Sequence, residues 1–278
     1  MIGLKDKSTV LITGAAGFLG SHLVDKFTQN GDTVIALTHS ERSTQLLKKK
    51  HPSIKICIAD LYLDSDKIIQ LFMNNQVDYI LHCAAMKHVN ICEENATKCV
   101  ETNVMGSKLL IDLCNRYHVK NLIAISTDKA NSPSCVYGMT KHLMEKMILE
   151  AGYSVYKGVN FFGSQGSVLD IWEQQRASEA PLVVNKQNCI RYFISVGEVV
   201  EKLYQSLDIK SQIITPDRCY QIKLHDLLDA YCDYHEYKDY VLRPFGNYEK
   251  LEEEISNSIV VEQSNKKTIK KLLKETKI

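Results

Sequence analysis

Tyr137 and Lys141 stand four residues apart, a spacing that puts both side chains on one face at the start of a helix. A free tyrosine titrates at about 10, too high for a base at neutral pH. A nearby ammonium, together with the positive charge of a bound cofactor, favours the phenolate. Such a Tyr can take a hydroxyl proton while hydride leaves the same carbon, and Lys141 can hold a cofactor ribose. Asp128 and Lys129, nine and eight residues before the Tyr, set an acid beside a base, with the hydroxyl of Thr127 next to them. The plain alternative is a capping Asp and a solvated Lys; closeness to the Tyr–Lys pair favours chemistry.

These groups need a rigid support, and the first half of the chain alternates two patterns that build one. Short β-branched runs occur at 9–13, 33–37, 54–58, 79–83 and 121–126, with a sixth apolar run at 153–159. Stretches of helical period lie between most of them, such as 21–29 and 104–117. Apolar strands separated by helices predict an α/β fold, a doubly wound parallel sheet covered on both faces. Asp128 and Lys129 then sit at the carboxyl end of the fifth strand, where such sheets carry their ligand crevice. After about residue 160 the alternation becomes irregular, with short helices expected at 199–207 and 224–231. The second half is expected to pack on the first and close a cleft.

The first strand runs straight into Gly14-Ala15-Ala16-Gly17-Phe18-Leu19-Gly20 and then into helical sequence. Glycines there allow a tight turn and close approach of a pyrophosphate to the positive end of the helix. Gly14, Ala16, Gly17, Phe18, Leu19 and Gly20 are therefore candidate cofactor contacts. The second strand ends Thr38-His39-Ser40-Glu41-Arg42 rather than in the acidic residue that binds a ribose 2′-hydroxyl. Thr38 and Ser40 are neutral and Arg42 can pair with a 2′-phosphate, so NADP is expected over NAD. Asp60, beside the backbone of Leu61 after the third strand, can accept from an adenine amino group, or can be a plain turn residue.

Composition narrows the function classes. In 278 residues there are 34 Lys plus Arg and 33 Asp plus Glu, so no bulk charge exists to hold nucleic acid or an anionic membrane. No apolar run approaches the ~18–20 residues that span a bilayer, and the start carries no secretion signal. The expectation is a soluble, unexported, cytoplasmic protein. Nine Cys without a Cys-x-x-Cys pair predict reduced thiols and no structural metal. The Lys-rich end from Lys266 reads as a solvated helix rather than a nucleic-acid patch.

The Gly-x-x-Gly-x-x-Gly spacing resembles the extended branch of the short-chain dehydrogenase/reductases that acts on nucleotide sugars. The block Ser126-Thr127-Asp128-Lys129-Ala130 followed by Tyr137-Gly138-Met139-Thr140-Lys141 resembles the signature of configuration-inverting UDP-N-acetylglucosamine 4,6-dehydratases. The resemblance extends over nearly the whole chain. Ala84-Ala85-Met86-Lys87-His88-Val89 is similar to a family segment lining the site beside the nicotinamide, and Asn103 to an architectural Asn. Asn160 to Val168, with Ser167, resembles a loop that approaches the nucleotide diphosphate. Arg191 stands where a phosphate-neutralising Arg is found. Arg243-Pro244 and Glu249 to Ser256 resemble a uridine-binding motif. The chain departs from the pattern at Lys157-Gly158-Val159, at Gln165, at Glu252 and in the four residues Phe245 to Tyr248.

The resemblance implies a nicotinamide-binding unit over residues 1–157 and a smaller nucleotide-sugar-binding portion over 158–278, interleaved with the first, in a homo-oligomer. It implies a UDP-sugar substrate bound through Lys87, His88, Asn160, Ser167, Val168, Arg191, Arg243 and Glu249. Oxidation at C4 makes the C5 proton acidic; Lys129 takes it, Asp128 protonates the departing C6 hydroxyl, and Tyr137 or Lys87 reprotonates C5 from the other face. A C4-epimerase or 4-keto reductase needs the Tyr–Lys pair without the Asp128–Lys129 pair, and a non-catalytic NADP-binding protein needs neither.

Overall fold

The computed structural model describes residues 7–245 and 250–278. Its strands are β1 (Thr9–Thr13), β2 (Thr33–Thr38), β3 (Lys55–Ile58), β4 (Tyr79–His82), β5 (Asn121–Thr127), β6 (Ser154–Gly158), β7 (Asn160–Phe161), β8 (Leu182–Asn185), β9 (Ile190–Ile194), β10 (Ile213–Ile214), β11 (Arg218–Lys223), β12 (Tyr240–Arg243) and β13 (Val260–Gln263). The helices are α1 (Phe18–Gln29), α2 (Glu41–Lys50), α3 (Ser65–Asn74), α4 (Val89–Glu94), α5 (Ala96–Val100), α6 (Gly106–Tyr117), α7 (Val136–Glu150), α8 (Val168–Ala177), α9 (Val196–Gln205), α10 (Leu224–His235) and α11 (Lys266–Thr276).

Seven strands form one fully parallel sheet in the order β3-β2-β1-β4-β5-β6-β10. The doubly wound sheet expected from the sequence is present. Alternation along β1 shows why both faces are apolar. Val10 and Ile12 join a core with Leu23 and Phe27 of α1 and Val199 and Leu203 of α9. Leu11 points the other way, toward Phe72 of α3, Leu110 of α6 and Met144 and Ile148 of α7. Strand order reverses between β1 and β4, which opens a crevice at their carboxyl ends.

The six expected strands form with ends moved by a residue or so. The seventh, β10, is two residues long and too short to show a period. The helix expected from Val104 starts earlier, as a π turn over Glu101–Met105 that leads into α6.

The later residues build a mixed sheet, β13-β11-β9-β7, a parallel pair, β12-β8, and a third core around Phe162, Trp172, Leu182, Phe193 and Tyr231. The expected division at 157/158 falls inside β6, before its last residue, while α9 and β10 return to the first sheet. The Lys-rich end is more than a solvated helix. Ile269, Leu272 and Leu273 follow helical spacing and are buried in the third core with Leu227 and Tyr231 of α10. Lys266 and Lys270 pair with Asp233 on that helix. Exposed pairs of this kind contribute little, so the apolar stripe holds α11 in place. Leu273→Ala should therefore cost about 2–5 kcal/mol in urea unfolding; a loss below about 1 kcal/mol would show the helix to be dispensable to the core.

Candidate active site

The cofactor turn is fixed by what its glycines leave out. Gly14 has φ +63°, and a Cβ there would lie 2.8 Å from the Ala84 nitrogen. A Cβ on Gly20 would come 2.2 Å from the Gly14 carbonyl oxygen, and Gly17 N–H donates to that same oxygen at 2.9 Å. Helix α1 opens at Phe18 on Gly17, which has no side chain to cap it. Its first N–H groups therefore point into the crevice, where a pyrophosphate fits. Leu19 is buried beneath the turn, Ala16 and Phe18 are half-buried, and the Phe18 ring stacks on Phe161.

Two expectations at the ribose end need revision. Thr38 is buried, and its hydroxyl is bonded to Thr44 at 2.5 Å, which ties β2 to α2 instead of facing a ligand. Ser40 and the exposed Arg42, at the start of α2, are the residues left at that edge. Asp60 closes its own turn by accepting from the N–H groups of Tyr62 and Leu63, and it pairs with Lys98 at 3.2 Å. Burial alone would raise its pKa; those N–H groups and the ammonium outweigh burial and hold it below the usual range. The Leu61 side chain packs under Gly106, so only its backbone borders the crevice.

The segment after β4 is clamped by Asn103. Its amide accepts from Met86 N–H at 2.8 Å and donates to the Met86 carbonyl and to Thr140 Oγ1. Behind it His82 bridges Thr13 Oγ1 at 2.7 Å and Ser107 Oγ at 2.9 Å. Burial lowers the His82 pKa to about 3, so the bridge is neutral. Ala84 and Ala85, half-buried, are thereby held against the glycine turn.

Strand β5 delivers the acid–base pair. Asp128 to Ala130 form a single 3₁₀ turn, capped by Thr127 Oγ1, which accepts from Lys129 N–H and donates to Asp128 Oδ1 at 2.9 Å. Asp128 is 2% exposed, and Lys129 Nζ lies 3.3 Å from its Oδ1. Neither the cap reading nor the solvated-Lys reading describes this pair. Gly138 makes the arrangement possible: a Cβ there would stand 2.4 Å from the Lys129 carbonyl oxygen. Glu93 caps the start of α7 by accepting from Val136 N–H at 2.6 Å.

Tyr137 and Lys141 lie one turn apart on α7, as expected. Burial pushes the Tyr137 phenol well above its ordinary range, the Asp128 carboxylate adds to this, and hydrogen bonding with Thr127 opposes it. Lys141 is almost fully buried. Its own pKa falls from 10.5 to about 8 by burial, against the pull of Glu145, and its Nζ lies 3.2 Å from Met144 Sδ. Glu145 is held in turn by Lys157 at 2.8 Å and by Ser126.

A cavity of about 380 Å³ opens between α8, β8 and β9. It brings together Lys87, His88, Asn160, Ser167, Val168, Arg191 and Arg243, drawn from five separate segments. Lys87 donates to the Gln165 carbonyl at 2.7 Å, and Arg243 Nε to Asn185 Oδ1 at 2.7 Å. Burial pulls the Lys87 and His88 pKa values down. Gly166 (φ +74°) lets the His88 ring pack on the loop, where a Cβ would come 2.3 Å from Cε1. Three cationic side chains and the start of α8 make the cavity suited to an anion such as a diphosphate.

Glu249 lies outside the described residues. The neighbouring run Lys250 to Ser256, which the resemblance assigns to a uridine-binding motif, touches the cavity at Arg191, whose Nη1 donates to the Leu251 carbonyl at 3.4 Å. It crosses the catalytic turn: Lys250 donates to the Ser132 carbonyl at 2.7 Å, Asn131 to the Glu254 carbonyl at 2.8 Å, and Ser132 to the Glu254 carboxylate at 2.8 Å. Glu252 accepts from Tyr192. The contacts with Asn131 and Ser132 join segments more than a hundred residues apart and leave no local signal. Asn185 and Glu93 were missed for the same reason.

The fold is shared with solved structures of nucleotide-sugar epimerases and dehydratases. A UDP-glucose 4-epimerase of Thermus thermophilus, solved with NAD, superposes with a TM-score of 0.84 at 18% identity, over 97% of this chain and 99% of that one. The signature of the polysaccharide biosynthesis protein family matches residues 10–275, and the chain belongs to that family. An uncharacterized membrane protein of Methanocaldococcus jannaschii is 33% identical over 71% of this chain. A UDP-N-acetylglucosamine 4,6-dehydratase (inverting) of Campylobacter jejuni is 29% identical over 70%. The match spans 62% of the length of each of these two relatives. Among the described residues no helix is long and apolar enough to cross a membrane.

The Lys141 shift gives a test of the site's electrostatics. A lysine with a folded pKa below its unfolded value binds fewer protons when folded, so it destabilises the protein below about 8. That cost fades as pH rises from about 8 toward 10.5. The cofactor-free Lys141→Met variant should therefore exceed the parent in stability at neutral pH by on the order of 3 kcal/mol. The advantage should vanish in urea titrations at the alkaline end; an advantage independent of pH would point to packing instead.

Proposed function

We propose that the protein is an NADP-dependent UDP-N-acetylglucosamine 4,6-dehydratase that inverts C5, giving UDP-2-acetamido-2,6-dideoxy-β-L-arabino-hex-4-ulose for deoxy-amino-sugar and polysaccharide synthesis. The observation that carries this reading is the buried Asp128–Lys129 pair, 3.3 Å apart beside Thr127 at the end of β5. An elimination needs an acid and a base within reach of adjacent carbons, and oxidation or epimerisation at C4 alone needs neither.

A dinucleotide would lie along the glycine turn, with Ser40, Arg42 and Lys141 meeting its ribose groups. When bound, NADP⁺ supplies an acceptor for the C4 hydride and returns that hydride to C6. Tyr137 takes the O4 proton, helped by the Thr127 hydroxyl at the developing ketone. Lys129, as a neutral amine, removes the C5 proton, now α to a carbonyl. Asp128 donates its proton to the departing C6 hydroxyl, so water leaves and a C5–C6 double bond forms. Tyr137 or Lys87 then returns a proton to C5 on the opposite face. Lys87, Arg191 and Arg243 hold the diphosphate, with His88, Asn160, Ser167 and Val168 shaping the nucleotide end of the cavity. A homo-oligomer is part of the same reading.

Incubation with UDP-N-acetylglucosamine and NADP⁺ in D₂O should give a 4-keto-6-deoxy product with deuterium at C5 and the L configuration by NMR. Asp128→Asn and Lys129→Ala should each lower dehydration by roughly 10²–10⁴-fold. A product epimerised at C4, made equally well by both variants, would instead identify an epimerase.

A further inference from the structure

The mechanism above leaves one buried charge unused. Glu253, on the segment that crosses the catalytic turn, is 6% exposed, and its Oε1 lies 3.6 Å from Lys129 Nζ. Its Oε2 has no hydrogen-bond partner among the described residues, and Lys250 Nζ stands 4.0 Å from that oxygen. A buried carboxylate so poorly hydrogen-bonded is costly to the fold unless a cation faces it. Lys129 therefore sits between two acidic side chains, Asp128 on its own turn and Glu253 on the segment that crosses it. The segment is tied down by Asn131, Ser132 and Lys250, so Glu253 is held in place and does not drift to solvent.

We infer that Glu253 is a positioning residue for Lys129, aiming its amine and stabilising the ammonium that forms when it takes the substrate's C5 proton. This rests on the dehydratase reading. In that step the C5–H bond breaks, an N–H bond forms on Lys129, the C6–O bond breaks, and the Asp128 proton leaves with the hydroxyl as water. Lys129 gains a positive charge and Asp128 a negative one, with no net change in oxidation state. A fixed carboxylate beside the new ammonium is stronger in that transition state than before it, which lowers the barrier. It contributes nothing to the earlier C4 oxidation, which takes place at Tyr137.

The test compares the parent, Lys129→Ala, Glu253→Gln and Glu253→Asp. Glu253→Gln should lower dehydration by about tenfold to a hundredfold with little change in KM. Mixed with NADP⁺ and UDP-N-acetylglucosamine, it should accumulate reduced-nicotinamide absorbance, as Lys129→Ala does. Glu253→Asp should recover part of the rate. A substrate-free readout is independent of turnover: trace acetylation of Lys129, relative to exposed Lys108 in the same digest, should rise severalfold in Glu253→Gln. Loss of C4 oxidation along with dehydration in Glu253→Gln, or unchanged dehydration and unchanged Lys129 acetylation, would overturn the inference. If the parent itself forms no dehydrated sugar, the dehydratase reading fails and takes this role with it, whereas a dehydrating parent with an indifferent Glu253 removes this role alone.

Discussion

The close approach of α7 to the turn after β5 is the constraint on which the site depends. The Gly138 position leaves no room for a Cβ against the Lys129 carbonyl oxygen, so the helix carrying Tyr137 and Lys141 lies directly on the turn carrying Asp128 and Lys129. Thr127 closes the turn from the strand side and Glu93 caps the helix from the opposite side. Four titratable groups are thus fixed without any of them being used to hold the backbone. A side chain added at position 138 would push the helix off the turn and separate the phenol from the acid–base pair.

Burial then sets what these groups can do. Asp128 and Lys141 are almost fully buried, and the burial that pulls Lys141 toward neutrality pushes Tyr137 away from ionisation. Without a ligand the phenol is therefore no base, and a positive charge brought in by a cofactor is what the arrangement lacks. The first core keeps the glycine turn rigid, because Gly14 meets Ala84 and Gly20 meets Gly14 with no space for adjustment. The turn, the Asn103 clamp and α7 thus form one body around the crevice.

The parallel sheet was legible because its central strands are buried on both sides and read as apolar runs with helical sequence between. The Tyr137–Lys141 and Asp128–Lys129 pairs were legible because their geometry is local: four residues on a helix, two on a turn. What escaped was non-local. Thr38 ends a strand in the expected place, yet its partner Thr44 decides that the hydroxyl turns inward. Asp60 satisfies its own turn, a choice set by Leu63 and Lys98 rather than by a motif. The acidic run at 252–254 lies over the catalytic turn because Ser132 and Asn131, on a distant segment, offer it partners. The two-residue strands β7 and β10 carry no period to read.

The separation between cavity and acid–base turn has a physical logic of its own. Lys87, Arg191 and Arg243 line a cavity that shares no residue with the Asp128–Lys129 turn. Further cations placed beside that turn would compete with Lys129 for the Asp128 carboxyl. Kept apart, they can bind an anionic group strongly without disturbing the pair, and the binding energy of that remote group can be used to orient the reacting carbons. Among the described residues Lys129 and Lys250 face the Glu253 carboxylate, while Lys157 donates to Asn131 at the end of the turn at 2.9 Å and pairs with Glu145. The charge at the turn is thereby balanced within the protein.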